Sequence, residues 1–280
     1  MNNIQDIITN FEQSIVPQFT QYELAMIENS QKSEEWHEER RGKFTGSRLK
    51  DLMSCSSRAK NKSWDNLTWL KDFGDTALTY VIERAIERAT GERIQTPETW
   101  QMRWGNLHEQ DNIDMLSERL GEEITKCGFL HITPTCGASP DGLCDALDAI
   151  IEVKSPATVM SHYNLSNEPV VEGHEYFWQV TGEMMAAKRQ RAIFNSYDNR
   201  YPIESRCNYQ FVDLSAIHAN AIMFRVAVGE HLVNIIMQNE FKIPRSDLRG
   251  HIDLFCSDCP FDYDGIIRWI ETKLNTTLNY

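Results

Sequence analysis

The spacing of apolar residues along the chain predicts alternating helices and strands. Between residues 75 and 91 apolar side chains recur every three or four positions, which is typical of a helix that buries one face, and Gly91 is placed to end it. The apolar stripe consists of Leu78, Val81, Ile82, Ala85, Ile86 and Ala89. Comparable patterns, bounded by capping residues or glycines, predict further helices at 33–40, 45–53, 103–120, 175–188 and 215–239.

Short apolar and β-branched runs bounded by turn residues predict the strands. These runs lie at 124–132, 138–144, 149–154, 192–197 and 209–212. Strands that are interleaved with helices favour an α/β fold. The pattern therefore predicts a single α/β domain in which a central mixed β-sheet is flanked by helices.

The two ends of the chain depart from this alternation and set the domain boundaries. We expect a helical N-terminal extension over 1–32, the α/β domain over 33–243 and a C-terminal accessory tail over 244–280. The tail contains the amphipathic run 266–274.

Composition places the chain among ordinary globular proteins, with 280 residues of which 41% are hydrophobic and 25% charged. No apolar run approaches the roughly 20 residues of a membrane span, so we expect no membrane association. The polar N-terminus does not have the pattern of a signal peptide. The seven cysteines are an odd number without regular spacing, which indicates reduced thiols and a cytoplasmic protein.

The formal net charge of −13 opposes binding to nucleic acid, but its distribution does not. Residues 1–39 contain eight acids and one base, whereas residues 40–62 contain eight bases and one acid. A basic block on an acidic protein can attract a polyanion locally. A solvated loop is the alternative interpretation of this block.

A carboxylate–lysine pattern lies in the strand-rich part of the chain. Asp141 stands in a Pro-Asp-Gly turn, and Glu152 and Lys154 alternate along the apolar run 149–154. Because alternate side chains of a strand share a face, a reversal at 146–148 would bring Asp141, Glu152 and Lys154 into one pocket. Asp141 and Glu152, with the backbone carbonyl of Val153, could hold Mg²⁺, and Lys154 could orient or deprotonate a water. A solvated Glu-x-Lys pair on an exposed strand is the plain alternative.

Two helical residues could complete such a pocket. Glu109 lies in the helix predicted at 103–120 and could supply a further carboxylate to a metal. Gln179 lies within an aromatic and apolar helix face, where a buried amide needs a partner. That partner could be Lys154, a phosphate or a backbone carbonyl.

Five sequence blocks together resemble the phage lambda exonuclease family, the YqaJ-like viral recombinases, within the PD-(D/E)xK nuclease superfamily. The blocks are EWHEERRGKFTGSR at 35–48, RWGNLHEQDN at 103–112, GASPDGLCD at 137–145, IEVKSP at 151–156 and YFWQVTGEMM at 176–185. They occur in the family's order and anchor a span from about 35 to 213. The resemblance implies a restriction-endonuclease-like core and assigns residues 33–243 to a YqaJ-like exonuclease domain.

The resemblance also implies roles for particular residues. Asp141, Glu152 and Lys154 would form the catalytic set, with Glu109 and Gln179 beside them. Arg40 and Ser47 would bind the 5′-phosphate of a DNA end, and Arg41, Lys43 and Arg48 are candidate DNA contacts. A guanidinium suits phosphate and a helix N-terminus binds anions, which agrees with the first two assignments.

The family resemblance implies a Mg²⁺-dependent enzyme, with Mn²⁺ as a substitute, that degrades one strand of double-stranded DNA from its 5′ end in viral or prophage recombination. It further implies a homo-oligomer in the form of a trimeric ring, and a single-strand annealing protein as partner.

Other interpretations of the sequence remain open at this point. Cys256-x-x-Cys259 invites an iron–sulfur or zinc site, but a matching second cysteine pair is missing from the sequence. The same core could belong to a sequence-specific endonuclease, because a fold does not determine a function. A DNA-end-binding protein without activity is the non-enzymatic alternative.

Overall fold

The computed structural model describes residues 34–56, 62–94 and 98–275. The helical extension predicted at 1–32 lies outside these residues. The helices are α1 (Glu34–Arg40), α2 (Leu49–Leu52), α3 (Asp75–Thr90), α4 (Trp100–Leu120), α5 (Val159–Asn167), α6 (Phe177–Ala187), α7 (Ala216–Gln238), α8 (Leu248–Phe255) and α9 (Tyr263–Leu274). The strands are β1 (Phe44–Thr45), β2 (Leu130–Thr133), β3 (Cys136–Ala138), β4 (Gly142–Cys144), β5 (Ala149–Lys154), β6 (Arg191–Tyr197) and β7 (Cys207–Asp213).

The strands form two mixed sheets that are flanked by helices, which confirms the predicted α/β class. One sheet has the order β1-β3-β2, with β1 parallel and β2 antiparallel to β3. The other has the order β4-β5-β6-β7, in which only the β5–β6 pair is parallel. The predicted mixed sheet is divided into these two sheets.

The division into two sheets begins at Pro140, inside the run that the sequence pattern assigned to one strand. Proline has no N–H to donate to a β-ladder, so the chain leaves the first sheet after Ala138 and enters the second at Gly142. The strand predicted over 124–132 is also shorter than expected. Only Leu130–Thr133 pairs in the first sheet, while Thr125 makes an isolated bridge to Leu143.

Most of the predicted helices are present, with shifted ends. Helix α3 ends at Gly91, whose φ of 70° is in the left-handed region that favours glycine. Helix α4 begins at Trp100, three residues before the predicted start, because the side chain of Thr99 accepts a hydrogen bond from the backbone N–H of Met102. The helix predicted at 45–53 is instead a short 3₁₀ turn, Gly46–Arg48, followed by α2. Helix α5 was not predicted at all.

Alternate residues of β5 pack on opposite sides of the four-stranded sheet. Ile151 and Val153 join a small core under α4, whereas Ile150 belongs to the main hydrophobic core. Helices α8 and α9 share the main core through Leu248, Ile252, Ile266, Trp269 and Ile270. No helix in the described ranges is both long and apolar enough to cross a membrane.

Candidate active site

The β4–β5 hairpin brings Asp141 next to the strand that carries Glu152. Gly142 pairs with Ile151, and the backbone N–H of Asp141 donates to the carbonyl of Ile151 at 3.0 Å. The Asp141 carboxylate in turn accepts a hydrogen bond from the backbone N–H of Val153 through Oδ2, at 2.8 Å. The reversal predicted at 146–148 is present as the 3₁₀ turn Asp145–Leu147. The side chain of Asp141 is thus fixed directly at the end of β5.

Glu152 and Lys154 lie on one face of β5, as the alternation predicted. Glu152 is 1% exposed, and the Lys154 ammonium contacts its Oε1 atom. The amide of Gln179 donates to the same oxygen at 2.6 Å. The partner of Gln179 is therefore a carboxylate, which the sequence interpretation did not include among its candidates.

These residues line one cavity of about 700 Å³. The cavity is formed by residues of β5, of helices α1, α4, α5 and α6, and of the segments that connect these elements. It includes every residue predicted for catalysis, metal binding or 5′-phosphate binding, namely Arg40, Ser47, Glu109, Asp141, Glu152, Val153, Lys154 and Gln179.

The electrostatics of this cavity are dominated by buried carboxylates. Burial, together with the charge of Asp141, raises the pKa of Glu152 to about 7. Burial alone would lower the pKa of Lys154, but the nearby carboxylates of Glu152 and Asp141 raise it above its usual value. Lys154 is therefore held as a cation beside a carboxylate that ionises at near-neutral pH.

Two further residues of the cavity were missed by sequence reasoning. Glu183 is 1% exposed and lies one helical turn after Gln179, from which its Oε1 atom accepts a hydrogen bond at 2.9 Å. The ring of Tyr176 lies 4.7 Å from the Lys154 ammonium. The i, i+4 spacing of Gln179 and Glu183 on one helix face was the available signal for Glu183.

Arg40 lies at another part of the cavity wall, between aromatic rings. Its guanidinium is 3.9 Å from the ring centroid of Trp36 and 5.4 Å from that of Phe129. It donates to the hydroxyl of Ser139 at 2.8 Å, and burial lowers its pKa to about 10. A guanidinium held in this way remains protonated at neutral pH and can bind an anion that enters the cavity.

The turn after α1 is fixed by the end of α3. The backbone N–H of Gly42 donates to the buried carboxylate of Glu87 at 2.8 Å, and the Gly42 carbonyl accepts from Arg88 at 2.7 Å. Arg88 also forms a two-bond ion pair with Glu230, at 2.8 and 2.6 Å. These contacts determine where α1 ends, and therefore where Arg40 lies.

The three candidate DNA contacts do not line this cavity. Arg41 pairs with Glu38 and with the carbonyl of Gly91. Lys43 donates to the carbonyl of Glu39 at 2.7 Å. Arg48 binds Asp51 and Glu83 and lies over the Tyr80 ring. Their role toward DNA stays a prediction.

Helix α4 is attached to the end of β5, which positions Glu109. The side-chain amide of Asn112 donates to the carbonyl of Lys154 at 3.2 Å. The hydroxyl of Ser155 donates to the carbonyl of His108 at 3.3 Å. Glu109 therefore faces the cavity from an element that is tied to the strand carrying Glu152.

The residues of the cavity fit a hard divalent cation. In the described ranges, no group of three or more His, Cys, Asp or Glu side chains is arranged to hold a metal. Mg²⁺ does not need such a group, because it binds through one or two carboxylates and keeps several waters. The Oε2 atom of Glu152 is buried and accepts no hydrogen bond from the described residues. Together with Asp141 it provides oxygen ligands of the type that Mg²⁺ prefers.

A hairpin-borne Asp and a Glu-x-Lys strand meet in one cavity with a helical carboxylate, which is the arrangement that the resemblance to PD-(D/E)xK nucleases predicted. The model of the YqaJ-like viral recombinase domain matches residues 35–190, which is more than half of the chain. The protein belongs to this family. This membership supports a nuclease that acts on DNA.

Solved structures show the same fold. An alkaline exonuclease from Laribacter hongkongensis, LHK-Exo, is 24% identical with a TM-score of 0.59, over 76% of this chain and 100% of that one. LHK-Exo in complex with dAMP is 23% identical with a TM-score of 0.58, and the match covers 81% of this chain and 97% of that one. A phage-related exonuclease from Haemophilus somnus 129PT is 15% identical with a TM-score of 0.56, and the match covers 71% of this chain and 96% of that one. The search of curated proteins gives no match.

Proposed function

We propose that this protein is a metal-dependent 5′→3′ exonuclease that degrades one strand of linear double-stranded DNA. The observation that carries the proposal is that the Asp141–Glu152–Lys154 set and the Arg40 guanidinium line the same cavity. The first group suits the cleavage of a phosphodiester, and the second suits the binding of a terminal phosphate. Joined in one cavity, they select a bond near a DNA end.

The proposed cofactor is Mg²⁺, with Mn²⁺ as a substitute. Asp141, Glu152 and the backbone carbonyl of Val153 would hold it, with Glu109 contributing from α4. When bound, such a cation lowers the pKa of water and offsets charge on the phosphate that is cleaved.

The protein's own residues supply orientation and charge. Lys154 is held by Glu152 and can hold or orient an attacking water through its ammonium group. Gln179 keeps the Glu152 carboxylate in place through the 2.6 Å hydrogen bond. Because Glu152 is buried, its orientation depends on these two contacts.

The direction of degradation would follow from the Arg40 end of the cavity. A 5′-phosphate at this position would meet a guanidinium that aromatic rings hold in place, and the hydroxyls of Ser47 and Ser139. The related structure of LHK-Exo with dAMP supports a cavity that accepts a nucleotide with one phosphate.

The biological setting that we propose is viral or prophage recombination, in which the exposed single strand passes to a single-strand annealing protein. A trimeric ring is the proposed assembly. All seven cysteines are free, and five of them are buried, which is consistent with the reducing cytoplasm of a host cell.

The test is a time course on end-labelled linear duplex with Mg²⁺, in which 5′-phosphorylated and 5′-hydroxyl ends are compared with covalently closed circular duplex. We expect mononucleotides from linear DNA, faster release from 5′-phosphorylated ends, and no cutting of the circle. Rapid cutting of the circle would show an endonuclease instead. Binding to ends without any degradation across salt conditions would show an end-binding protein.

A further inference from the structure

Glu183 is a buried carboxylate in the active-site cavity to which no sequence motif assigned a role. It is 1% exposed, and its Oε2 atom accepts no hydrogen bond from the described residues. A carboxylate at such a position is costly unless it makes specific hydrogen bonds. Its presence beside Glu152 therefore calls for a function in the site.

The orientation of the Gln179 amide follows from its two acceptors. Its Nε2 atom lies 2.6 Å from Oε1 of Glu152 and 2.9 Å from Oε1 of Glu183. An amide nitrogen carries two hydrogens, so both are used. The reversed amide would place its oxygen against two carboxylate oxygens and lose both hydrogen bonds.

We infer that Glu183 is a positioning residue, which holds the Gln179 amide with its NH₂ group directed at Glu152. The inference rests on the proposed function, in which the placement of Glu152 matters for cleavage. Without an acceptor at position 183, one amide hydrogen loses its partner and the amide is free to rotate. Its oxygen can then face Glu152, which would displace that carboxylate.

Helix α6 packs closely against the segment that leads into α2, next to Glu183. A Cβ atom added to Gly182 would lie 2.2 Å from the Leu49 side chain, so α6 packs directly on the start of α2. A Cβ atom on Gly46 would lie 2.7 Å from the Cβ of Ala138 and 3.8 Å from Cγ of Glu183. The stem of Glu183 thus lies beside the turn that carries Ser47.

The positioning does not depend on the charge of Glu183. Burial and the neighbouring Glu152 raise its pKa well above the usual value of a glutamate. A carboxyl group accepts a hydrogen bond through its free oxygen whether or not it is protonated. What Gln179 requires is therefore an oxygen at this place.

The test separates the acceptor from the charge. Glu183→Leu removes the acceptor, and we expect it to lower kcat at saturating Mg²⁺ by about 10- to 100-fold. This is the size expected for the loss of one hydrogen bond to a charged group. The KM for DNA ends should be nearly unchanged. Glu183→Gln keeps an oxygen that can accept from Gln179 and should restore most of kcat. Glu168→Gln, at an exposed position on the rim of the same cavity, replaces a carboxylate in the same way without touching Gln179 and is the matched control.

A double-mutant cycle shows whether Glu183 acts through Gln179. The variant that combines Gln179→Ala with Glu183→Leu should be no slower than Gln179→Ala alone. Losses in kcat that simply multiply, or a Glu183→Gln variant as slow as Glu183→Leu, would overturn the inference. The same double-mutant cycle can be measured on the free energy of unfolding, which tests the hydrogen bond between Gln179 and Glu183 without any cleavage. If the wild-type protein cleaves no DNA, the proposed function is therefore refuted, while the positioning role is still tested by unfolding.

A second measurement covers the case in which Glu183→Leu folds poorly. In the wild-type protein, the side-chain NH₂ resonances of Gln179 should show two protected, hydrogen-bonded protons. Fast exchange with solvent at both protons would contradict the positioning role.

Discussion

The amide of Gln179 donates a 2.6 Å hydrogen bond to the carboxylate of Glu152, and so connects α6 to β5 inside the candidate active-site cavity. The same carboxylate contacts the ammonium of Lys154. This buried acid is therefore held by residues of two elements, Lys154 of β5 and Gln179 of α6. Changes to either partner should alter the reaction rather than the binding of DNA.

Lys154→Ala is expected to lower the cleavage rate by about 100- to 10,000-fold, the range that general acid–base groups contribute. The ammonium is the cationic group that contacts Glu152, and it lies in the cavity where a water would be activated. Asp141→Ala should have a comparable effect because Asp141 is proposed to hold the metal.

The measurement is single-turnover cleavage of linear duplex, with binding followed separately by anisotropy. Binding to DNA ends should persist in both variants, and thermal unfolding should show that both are folded. Full cleavage activity in either variant would refute the assigned site.

Arg40→Ala should reduce the preference for 5′-phosphorylated over 5′-hydroxyl ends, because the guanidinium is the group proposed to bind the phosphate. The rate on 5′-phosphorylated ends should fall by about 10-fold or more, as expected for a charge-assisted hydrogen bond. The rate on 5′-hydroxyl ends should change little.

Arg191→Ala is a suitable control for Arg40→Ala. It removes an exposed arginine at the start of β6 that pairs with Asp213 at 2.9 Å. It therefore changes net charge equally without altering the cavity. If the ratio of the two rates stayed the same in Arg40→Ala, the 5′-phosphate role would be wrong.

The sequence predicted β5 and the shared face of Glu152 and Lys154 well because these signals are local. The alternation of Glu152 and Lys154 on an apolar run, and the turn that carries Asp141, depend on neighbouring residues alone. Pro140 interrupts the run locally, but the three-stranded sheet forms by the pairing of β1 and β2 with β3, which is a relation between distant segments. Local patterns do not contain it.

Local sequence patterns also did not predict the contacts between side chains within the site. The apolar residues around Gln179 in the sequence predicted that its amide needs a hydrogen-bond partner. The identity of that partner, Glu152, required the packing of α6 on β5. Glu183 was missed for this reason, since an acid on a helix is ordinarily expected to face solvent.

Gly42→Ala should destabilise the protein by about 1–3 kcal/mol and also weaken the preference for 5′-phosphate. Gly42 has a φ of 70°, and a Cβ atom there would lie 2.7 Å from Cγ of Arg88. Arg88 cannot easily move away, because it is bonded to the Gly42 carbonyl and to Glu230. The turn would shift instead, together with the end of α1 that carries Arg40.

Gly121→Ala provides the control for Gly42→Ala. Gly121 has a φ of 69°, but a Cβ atom there would meet no atom within 4 Å. The loss of unfolding free energy in Gly121→Ala therefore gives the cost of placing alanine at a positive φ, without a clash such as the one between residue 42 and Arg88. Urea unfolding of both variants separates the two contributions, and equal losses would show that the contact with Arg88 is unimportant.

The metal-free protein should lose stability as the pH rises toward 7, because the pKa of Glu152 is about 7 in the folded state against an ordinary value of 4.5. Between these two values the folded protein keeps a proton that the unfolded chain has released, so raising the pH favours unfolding. Above about pH 7 both states are ionised, and this contribution levels off. Its full size is at most about 3 kcal/mol, at about 1.36 kcal/mol for each pKa unit.

The effect is measured by urea unfolding in EDTA between pH 5 and pH 8, with wild-type protein and Glu152→Gln compared. Glutamine does not titrate, so the variant should show a smaller fall in unfolding free energy over this range. Glu183, whose pKa is also raised by burial, contributes in the same direction and should leave part of the slope in the variant. Identical slopes in the two proteins would mean that Glu152 ionises at its ordinary pKa, and that burial does not control its charge.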